Sequence, residues 1–262
     1  MKQIQLIKVT QDRLKEFSVL FGIFPYFHNY LQFALSNLSY DIWVDSYENL
    51  KFAIIFSSPA FFLLGNPEGE DVTEILKKID TGNWIIPSSE LWDAPLKFYF
   101  GSKLESHLRT KFDSKNLNLS HLESLKKPLP SGYELVRIGI NQIQDIQGML
   151  YNDLLKNYFS TVDFLGKGLG FCILEDNQVI GFAASNYPII NEVLEVYIRV
   201  DFNSDPRHRQ KGFGTLLSVA LIEYCLEHHL NPEWDSANSI SAHLALKLGY
   251  EVEQTWTMYH IV

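Results

Sequence analysis

The stretch that decides the fold is residues 207–215, which read Arg207-His208-Arg209-Gln210-Lys211-Gly212-Phe213-Gly214-Thr215. It lies between a run with strand character and a long, periodically apolar segment that predicts a helix. Its glycines allow a backbone to approach a ligand closely. The first turn of the following helix offers unpaired N–H groups and the positive end of the helix dipole. The stretch therefore predicts a cradle for a phosphorylated cofactor.

The charge distribution indicates what kind of anion this cradle binds. The chain of 262 residues has a formal net charge of -9. Basic residues nevertheless crowd into one short window, which holds Arg199, Arg207, Arg209 and Lys211. A local positive field in an acidic protein favours one specific anion over a nucleic-acid backbone. We therefore expect no nucleic-acid partner.

Composition limits the class of protein. With 262 residues, 46% of them hydrophobic, the chain is long enough for two domains with sizeable cores. Its two cysteines, Cys172 and Cys225, fall in a strand-like and a helical pattern and are expected to be buried, without a disulfide or a metal site. The first residues, 1–15, lack the apolar core of a secretion signal. These features predict a cytoplasmic protein.

The segment from Phe17 to Tyr40 contains no formally charged side chain and is long enough to resemble a membrane span. Its Pro25, Asn29 and Gln32 would be costly in hydrocarbon, so we interpret it as a buried helix and expect no membrane partner. Core packing is the preferred role of its aromatic residues. A substrate pocket or a homodimer surface is the alternative.

A polar segment broken by two prolines, residues 124–132, divides the chain into predicted domains 1–127 and 128–262. The pattern of the second domain alternates strands and helices. We predict strands at 133–138, 171–175, 179–185, 193–204, 233–236 and 250–262, and helices at 142–155, from the basic stretch to about 229, and at 240–248.

The first domain partly repeats the pattern of the second. Predicted strands at 41–46, 50–57 and 60–64 are followed by Gly65-Asn66-Pro67-Glu68-Gly69-Glu70-Asp71. This segment takes the place of the basic stretch, but its acidic side chains would repel phosphate. If the chain is a tandem repeat, only the C-terminal copy binds the cofactor.

Two sequence blocks together resemble a known family. Arg209-Gln210-Lys211-Gly212-Phe213-Gly214 matches the Arg/Gln-x-x-Gly-x-Gly/Ala signature of the GNAT acyltransferase superfamily. Downstream, the stretch from Asn238 to Tyr250 resembles the family's Asn-x-x-Ala/Ser…Leu-x-x-Lys-x-Gly-Phe/Tyr block. The form Pro-x-Trp-Asp-x-x-Asn-x-x-Ser at residues 232–241 is most similar to the zwittermicin-A-resistance type of acetyltransferase. The resemblance covers about residues 133–262.

The resemblance implies an α/β (α+β) fold with a mixed, mostly antiparallel sheet flanked by helices, preceded by a degenerate N-terminal copy. It implies an N-acetyltransferase that uses acetyl-CoA and a small-molecule amine, with direct attack in a ternary complex and no metal. Asn238 and Ser241 are equally interpretable as cofactor ligands and as helix caps. The implied cofactor-binding residues are Phe202, Asn203, Ser204, Arg209, Gln210, Lys211, Gly212, Phe213, Gly214, Thr215, Asn238 and Ser241.

The catalytic base must lie within hydrogen-bond reach of the incoming ammonium, directly or through one water. Glu233 corresponds to a position where some family members hold a base, and Asp201 is the second candidate. A solvated surface carboxylate is the alternative interpretation of both. Glu195 is seven residues from Phe202, roughly 23 Å along a strand, and is therefore not expected to act directly.

The sequence departs from the family at the catalytic acid. Many relatives have a tyrosine seven residues after the asparagine, where this chain has Ala245. Tyr250, His243 or Tyr259 could substitute, and a thiolate with a pKa near 8.5 is a tolerable leaving group without an acid. The alternative function is a non-catalytic acyl-CoA-binding or regulatory module.

Overall fold

The structure is a computed structural model that describes residues 2–13, 15–17, 20, 28–36, 40–148, 154–200, 208 and 211–262. The chain forms two compact units. Unit 1 comprises Met1–Arg109 and Thr255–Val262, and unit 2 comprises Thr110–Gln254. Two long strands, Leu104–Asp113 and Glu251–Ile261, cross these boundaries, so each contributes residues to both units.

Unit 1 is built on a mostly antiparallel sheet whose strand order is β2-β3-β4-β5-β7-β14. Its fourth and fifth strands, β5 and β7, are parallel, and the other described pairs of neighbouring strands are antiparallel. A separate parallel pair joins β1 to β6. The elements are β1 (Lys2–Gln3), β2 (Ile7–Lys8), α1 (His28–Ser36), β3 (Asp41–Val44), β4 (Ala53–Ser57), β5 (Ala60–Leu64), β6 (Glu70–Asp71), α2 (Thr73–Leu76), β7 (Trp84–Pro87), a 3-10 turn (Glu90–Trp92), α3 (Asp93–Phe100) and β14 (Glu251–Ile261).

Alternation along the strands of unit 1 gives its sheet an apolar layer on each face. In β4, Ile55 packs into one core cluster and its neighbour Ile54 into the other. The C-terminal strand follows the same rule, because Met258 packs on the first face and Tyr259 on the second. The last residues of the chain are therefore part of the core of unit 1.

Unit 2 has a sheet of order β9-β10-β11-β12-β13-β8. Its one parallel pair among the described strands is β12 with β13. The elements are β8 (Leu104–Asp113), α4 (Leu119–Leu125), β9 (Tyr133–Arg137), α5 (Ile140–Gly148), a 3-10 turn (Leu154–Asn157), α6 (Thr161–Lys167), β10 (Gly170–Glu175), β11 (Gln178–Ser185), β12 (Val193–Val200), α7 (Phe213–Glu227), β13 (Asn231–Ser236) and α8 (Ser239–Leu248).

Helix α7 is the central buried helix of unit 2. Its apolar residues face two directions: Leu217 packs into the cluster over β10 and β11, and Ile222 into the cluster with α4 and α8. The helix begins after Gly212, whose backbone is left-handed with φ +79°, a conformation that favours glycine. Gly249, at φ +101°, ends α8 in the same way, as its sequence position predicts.

The two units share one strand pattern. Each has four successive antiparallel strands, a parallel fifth strand and an antiparallel sixth. In each unit the first five strands come from one half of the chain and the sixth comes from the other half. Thus β8 follows α3 in sequence but pairs with β13, and β14 follows α8 but pairs with β7. The chain has two copies of one topology with exchanged last strands.

The predicted fold class is confirmed, including the mixed and mostly antiparallel sheet with flanking helices. The helix predicted over 142–155 is shorter, because α5 ends at Gly148 and a 3-10 turn begins at Leu154. Of the strand predicted over 193–204, residues 193–200 form β12 and the rest lie outside the described residues. The sequence-based predictions do not include β7, α3, β8 and α4, which lie between residues 84 and 125.

The domain boundary predicted between residues 127 and 128 lies inside unit 2, between α4 and β9. The compact units differ from the predicted domains because the sixth strands are exchanged, which moves residues 110–127 into unit 2 and residues 255–262 into unit 1. As the boundary between the two copies in the sequence, residue 127 stays a prediction.

The uncharged segment from Phe17 to Tyr40 contains α1 in its described part. Leu31 and Ala34 of this helix are buried, in agreement with an interpretation as core packing. None of the helices in the described ranges is long and apolar enough to cross a membrane. The homodimer stays a prediction.

The exchanged strand predicts that a substitution near the C-terminus destabilises unit 1. Tyr259 is completely buried in its core, so Tyr259→Ala should lower the stability of this unit by about 3–5 kcal/mol. Urea unfolding followed by tryptophan fluorescence measures the change. Val252→Ala is the matched control in the same strand, because Val252 is 53% exposed and its truncation should cost less than about 0.5 kcal/mol. Equal effects of the two substitutions would contradict this assignment of the strand.

Both cysteines are predicted to be unreactive in the folded protein. Cys172 and Cys225 are buried free thiols, and burial raises the pKa of each to about 12. At pH 8 only about one thiol in 10,000 would then be ionised, and the thiolate is the reactive form. The disulfide reagent DTNB should therefore label neither cysteine until urea is added, when two thiols per chain should react. Rapid labelling of the native protein would show that a thiol is accessible.

Candidate active site

A basic cavity lies at the N-terminus of α7. It has a volume of about 360 Å³ and lies wholly within unit 2. The lining residues come from three places in the sequence: the end of α4 with the segment after it, the residues at the start of α7, and α8. They are Leu125, Lys127, Lys211, Gly212, Thr215, Leu216 and Lys247.

The electrostatics of this cavity favour an anion. Among the described residues, its charged lining residues are Lys127, Lys211 and Lys247, and none is a carboxylate. The first amides of α7, a helix of 15 residues, begin at the same place and add the positive end of a helix dipole. A Cβ built on Gly212 meets no atom within 4 Å, so this part of the turn borders open space. The cavity can therefore take a phosphate or pyrophosphate group.

A hydrogen bond joins the two sequence blocks at this cavity. The ammonium of Lys247, in α8, donates to the hydroxyl oxygen of Thr215, in the first turn of α7, at 2.9 Å. The downstream block thereby supplies a cation to the helix that follows the basic stretch. Thr215 and Lys247, 32 positions apart in sequence, thus meet at this cavity.

The end of the basic stretch is anchored to the sheet of unit 2. Lys211 Nζ donates to the hydroxyl of Tyr133 at 2.7 Å, and that hydroxyl donates to Glu175 Oε1 at 2.6 Å. His208 is buried, with its Nε2 2.8 Å from the other oxygen of Glu175. The Lys211 ammonium also lies over the Tyr133 ring, 4.4 Å from its centroid. This network holds Lys211 at the mouth of the cavity.

Several predicted site residues lie outside the described residues, and their roles stay predictions. They are Asp201, Phe202, Asn203, Ser204, Arg209 and Gln210. Of the rest, Lys211, Gly212 and Thr215 line the cavity. The side chain of Phe213 is buried in the core, so its backbone amide is the group that can face a ligand. A Cβ on Gly214 would make only an ordinary contact, 3.8 Å from Leu244.

Asn238 and Ser241 have structural partners at the start of α8. The side-chain oxygen of Asn238 accepts a hydrogen bond from the Ser241 amide at 2.9 Å, which is an N-cap. The Ser241 hydroxyl accepts from the indole N–H of Trp234 at 3.1 Å, and Trp234 is buried. These contacts account for both residues without a ligand.

Glu233 lies beside Glu195, the carboxylate that is not expected from the sequence to act directly as the base. Glu233, in β13, is the register partner of Glu195, in β12, at the last of three paired positions in this parallel pair. Register partners in a parallel pair point to the same face of the sheet. Glu195 accepts a hydrogen bond from Asn186 Nδ2 at 2.9 Å, and the Asn186 carbonyl accepts from Asn157 Nδ2 at 2.9 Å. Glu195 and Glu233 therefore lie level with each other in the sheet, so distance along the strands does not favour one carboxylate over the other.

Position 245 is unsuited to a catalytic acid. Ala245 is completely buried and packs in the core with Trp234 and Leu248. Of the possible substitutes, Tyr250 is buried, donates its hydroxyl to the Pro232 carbonyl at 2.9 Å, and has a pKa raised well above its ordinary value by that burial.

The other two substitutes are not in comparable settings. Tyr259 belongs to the core of unit 1. His243 is exposed on α8, with its Nδ1 2.7 Å from the Ser239 carbonyl oxygen. The geometry assigns none of the three as the acid.

The sequence analysis missed two of the three lysines. Lys247 belongs to the Leu-x-x-Lys-x-Gly block that carries the family resemblance, so a signal was present. Lys127 lies in the predicted linker, where no local pattern indicates that α4 brings it to the start of α7.

Comparisons with known proteins agree with this geometry. A family model described as GNAT acetyltransferase matches residues 26–259. The uncharacterized N-acetyltransferase YdfB of Bacillus subtilis (strain 168) is 28% identical over 182 residues, which are 67% of this chain and 65% of that protein. The match thus spans slightly less than two thirds of the relative's length.

Two solved structures have a similar fold. A GCN5-related N-acetyltransferase-like protein from Streptococcus suis 89/1591 has 25% identity and a TM-score of 0.74, over 96% of this chain and 99% of that one. A tandem GNAT protein from the clavulanic acid biosynthesis pathway has 16% identity and a TM-score of 0.61, over 97% and 98% of the two chains. With the family match over most of its length and the basic cavity at the start of α7, this chain belongs to the GNAT acetyltransferase family.

Proposed function

We propose that the protein transfers the acetyl group of acetyl-CoA to an amine of a small molecule, by direct attack in a ternary complex. The observation that carries this proposal is the cavity with three lysines at the start of α7. A nucleotide-linked thioester has phosphate groups at one end, and these match a basic cavity with helix amides beside it.

The residues that would hold the anionic end of acetyl-CoA are Lys127, Lys211, Lys247 and the backbone amides from Gly212 to Thr215. Arg209 and Gln210, with Phe202, Asn203 and Ser204 along the pantetheine, would complete the site. Asn238 and Ser241 are weaker candidates, since their side chains already bind partners within α8 and β13.

When bound, acetyl-CoA supplies an activated thioester. The protein then has to remove a proton from the acceptor ammonium, which a carboxylate within reach of it can do directly or through water. We propose Glu233 for this role, acting through ordered water, because it is the register partner of Glu195 and the distance that argues against direct action by Glu195 applies to Glu233 as well. Asp201 remains the second candidate.

A non-catalytic acyl-CoA-binding module is the alternative, and one observation favours it. Ala245 stands in the core where many relatives have their tyrosine acid. Transfer can still proceed without an acid, because a free thiolate with a pKa near 8.5 can leave unassisted.

The residues 232–241 support a resistance-type enzyme as the subtype. The two buried, unpaired thiols agree with a cytoplasmic location.

The lysine cavity gives a binding prediction. Lys127→Gln and Lys247→Gln should each weaken acetyl-CoA binding at least about tenfold, since a hydrogen bond to a charged group contributes about 1.5–3 kcal/mol. Isothermal titration calorimetry measures the affinity. Lys115→Gln, at a lysine whose side chain is 84% exposed and outside the cavity, controls for the change in net charge. An unchanged affinity in the Lys127/Lys247 double variant would rule out this cofactor site.

The base assignment gives a kinetic prediction. Glu233→Gln should lower kcat by about 100-fold or more while the affinity for acetyl-CoA stays the same, because general-base catalysis contributes about 10²–10⁴. Thiol release from acetyl-CoA with a panel of amines measures turnover. Glu134→Gln, on the exposed surface of β9, is the matched control.

Each outcome of this assay has a defined meaning. A normal kcat in Glu233→Gln, with a large loss of kcat in Glu195→Gln, would assign the role of general base to Glu195. Tight binding of acetyl-CoA by the unaltered protein, with no turnover on any amine, would favour the non-catalytic module.

A further inference from the structure

The acidic segment of the first half forms the wall of a large groove in unit 1. The groove has a volume of about 970 Å³ and lies between residues 67–73 on one side and parts of residues 90–99 on the other. Both sides belong to unit 1, so the groove is separate from the lysine cavity of unit 2. The indole N–H of Trp92 donates to the Gly65 carbonyl at 2.9 Å and ties the two sides together.

The groove occupies the position in unit 1 that the lysine cavity occupies in unit 2. In both units the lining segment follows the fourth strand and precedes the parallel fifth strand. In unit 2 this connection carries Lys211 and Gly212 and continues into the long α7. In unit 1 it contains Glu68 and Glu70 and continues into α2, a helix of only four residues.

The charge of the groove is opposite to that of the cavity. Among the described residues, five carboxylates and no lysine, arginine or histidine line it, and Lys97, also on α3, pairs with Asp93 at 3.8 Å. The carboxylate of Asp71 accepts a hydrogen bond from the Thr73 amide at 3.0 Å, and hydrogen bonding from Thr73 lowers the pKa of Asp71. The groove therefore favours cations. The five residues are Glu68, Glu70, Asp71, Glu90 and Asp93.

Apolar and aromatic side chains complete the groove. Leu76 is buried at its floor, whereas Leu91 and Tyr99 are 39% and 38% exposed. Phe98 is 94% exposed, so almost its whole ring is available to a partner. An aromatic ring this exposed becomes buried only beneath a ligand large enough to cover the rim, and such anchors contribute strongly at protein interfaces.

Charge excludes most other occupants. Acetyl-CoA, nucleic acids and anionic lipid surfaces would all be repelled by the five carboxylates. A second copy of this acidic chain, arranged symmetrically, would bring the same carboxylates against each other. A partner with positive charges and an apolar side would be attracted by the carboxylates and could bury the exposed apolar side chains.

We propose that this groove binds a basic, amphipathic peptide segment of a partner protein. Its lysine or arginine side chains would contact Glu68, Glu70 and Glu90, and its apolar side chains would cover Phe98 and Leu91. This binding site does not depend on acetyl transfer by unit 2.

The test uses a fluorescent synthetic peptide with leucine at helical spacing and lysine at the other positions, titrated with the full-length protein. We expect saturable binding that weakens with salt. Phe98→Ala and Glu90→Lys should each weaken it about tenfold, as at the anchor positions of an interface. The matched controls are Phe159→Ala, at an aromatic residue 71% exposed in unit 2, and Glu48→Lys, at an exposed acid outside the groove. Both should bind normally.

Three results would overturn the proposal. Equal losses in Glu48→Lys and Glu90→Lys would mean that the peptide responds only to the overall negative charge. If Phe98→Ala binds the peptide normally and spermine displaces the labelled peptide as effectively as unlabelled peptide does, the groove binds small amines. Sedimentation showing a dimer that Phe98→Ala dissociates would assign the groove to a second copy. Thermal melts of each variant identify any loss that comes from unfolding.

Discussion

The parallel strand pair in each unit is the constraint on which the rest of the structure depends. Two neighbouring strands can run in the same direction only if the chain crosses from the end of one to the start of the other. In this protein the crossings lead from β5 to β7 and from β12 to β13. The lysine cavity and the acidic groove both border these crossings. The topology therefore allows a concave surface beside the crossing in both units, and the residues on each crossing set its charge.

The two crossings have diverged in charge and in length. One leads into a helix of 15 residues and is joined by lysines from α4 and α8, which suits an anion. The other leads into four helical residues and is rich in glutamate. The strand order is the same in both units, so the opposite charges of the two crossings come from their side chains.

Much of the fold was predictable because its cues are local. Strand alternation, the left-handed glycines at positions 212 and 249, and the spacing of the two motif blocks each depend on neighbouring residues. The contribution of Lys127 and the pairing of Glu195 with Glu233 depend on contacts between distant segments, and no local pattern encodes them. For Asn238 the local sequence is ambiguous, because a helix cap and a cofactor ligand require the same residue type.

The exchanged sixth strands have a consequence for biosynthesis. The core of unit 1 includes Tyr259 and Ile261, which leave the ribosome after the whole of unit 2. Its first five strands are synthesised early. The edge of β7 then has no β14 to pair with while all of unit 2 is translated. Unit 2 receives its sixth strand, β8, before its other five strands exist. The N-terminal half is made first, yet its sheet is completed last.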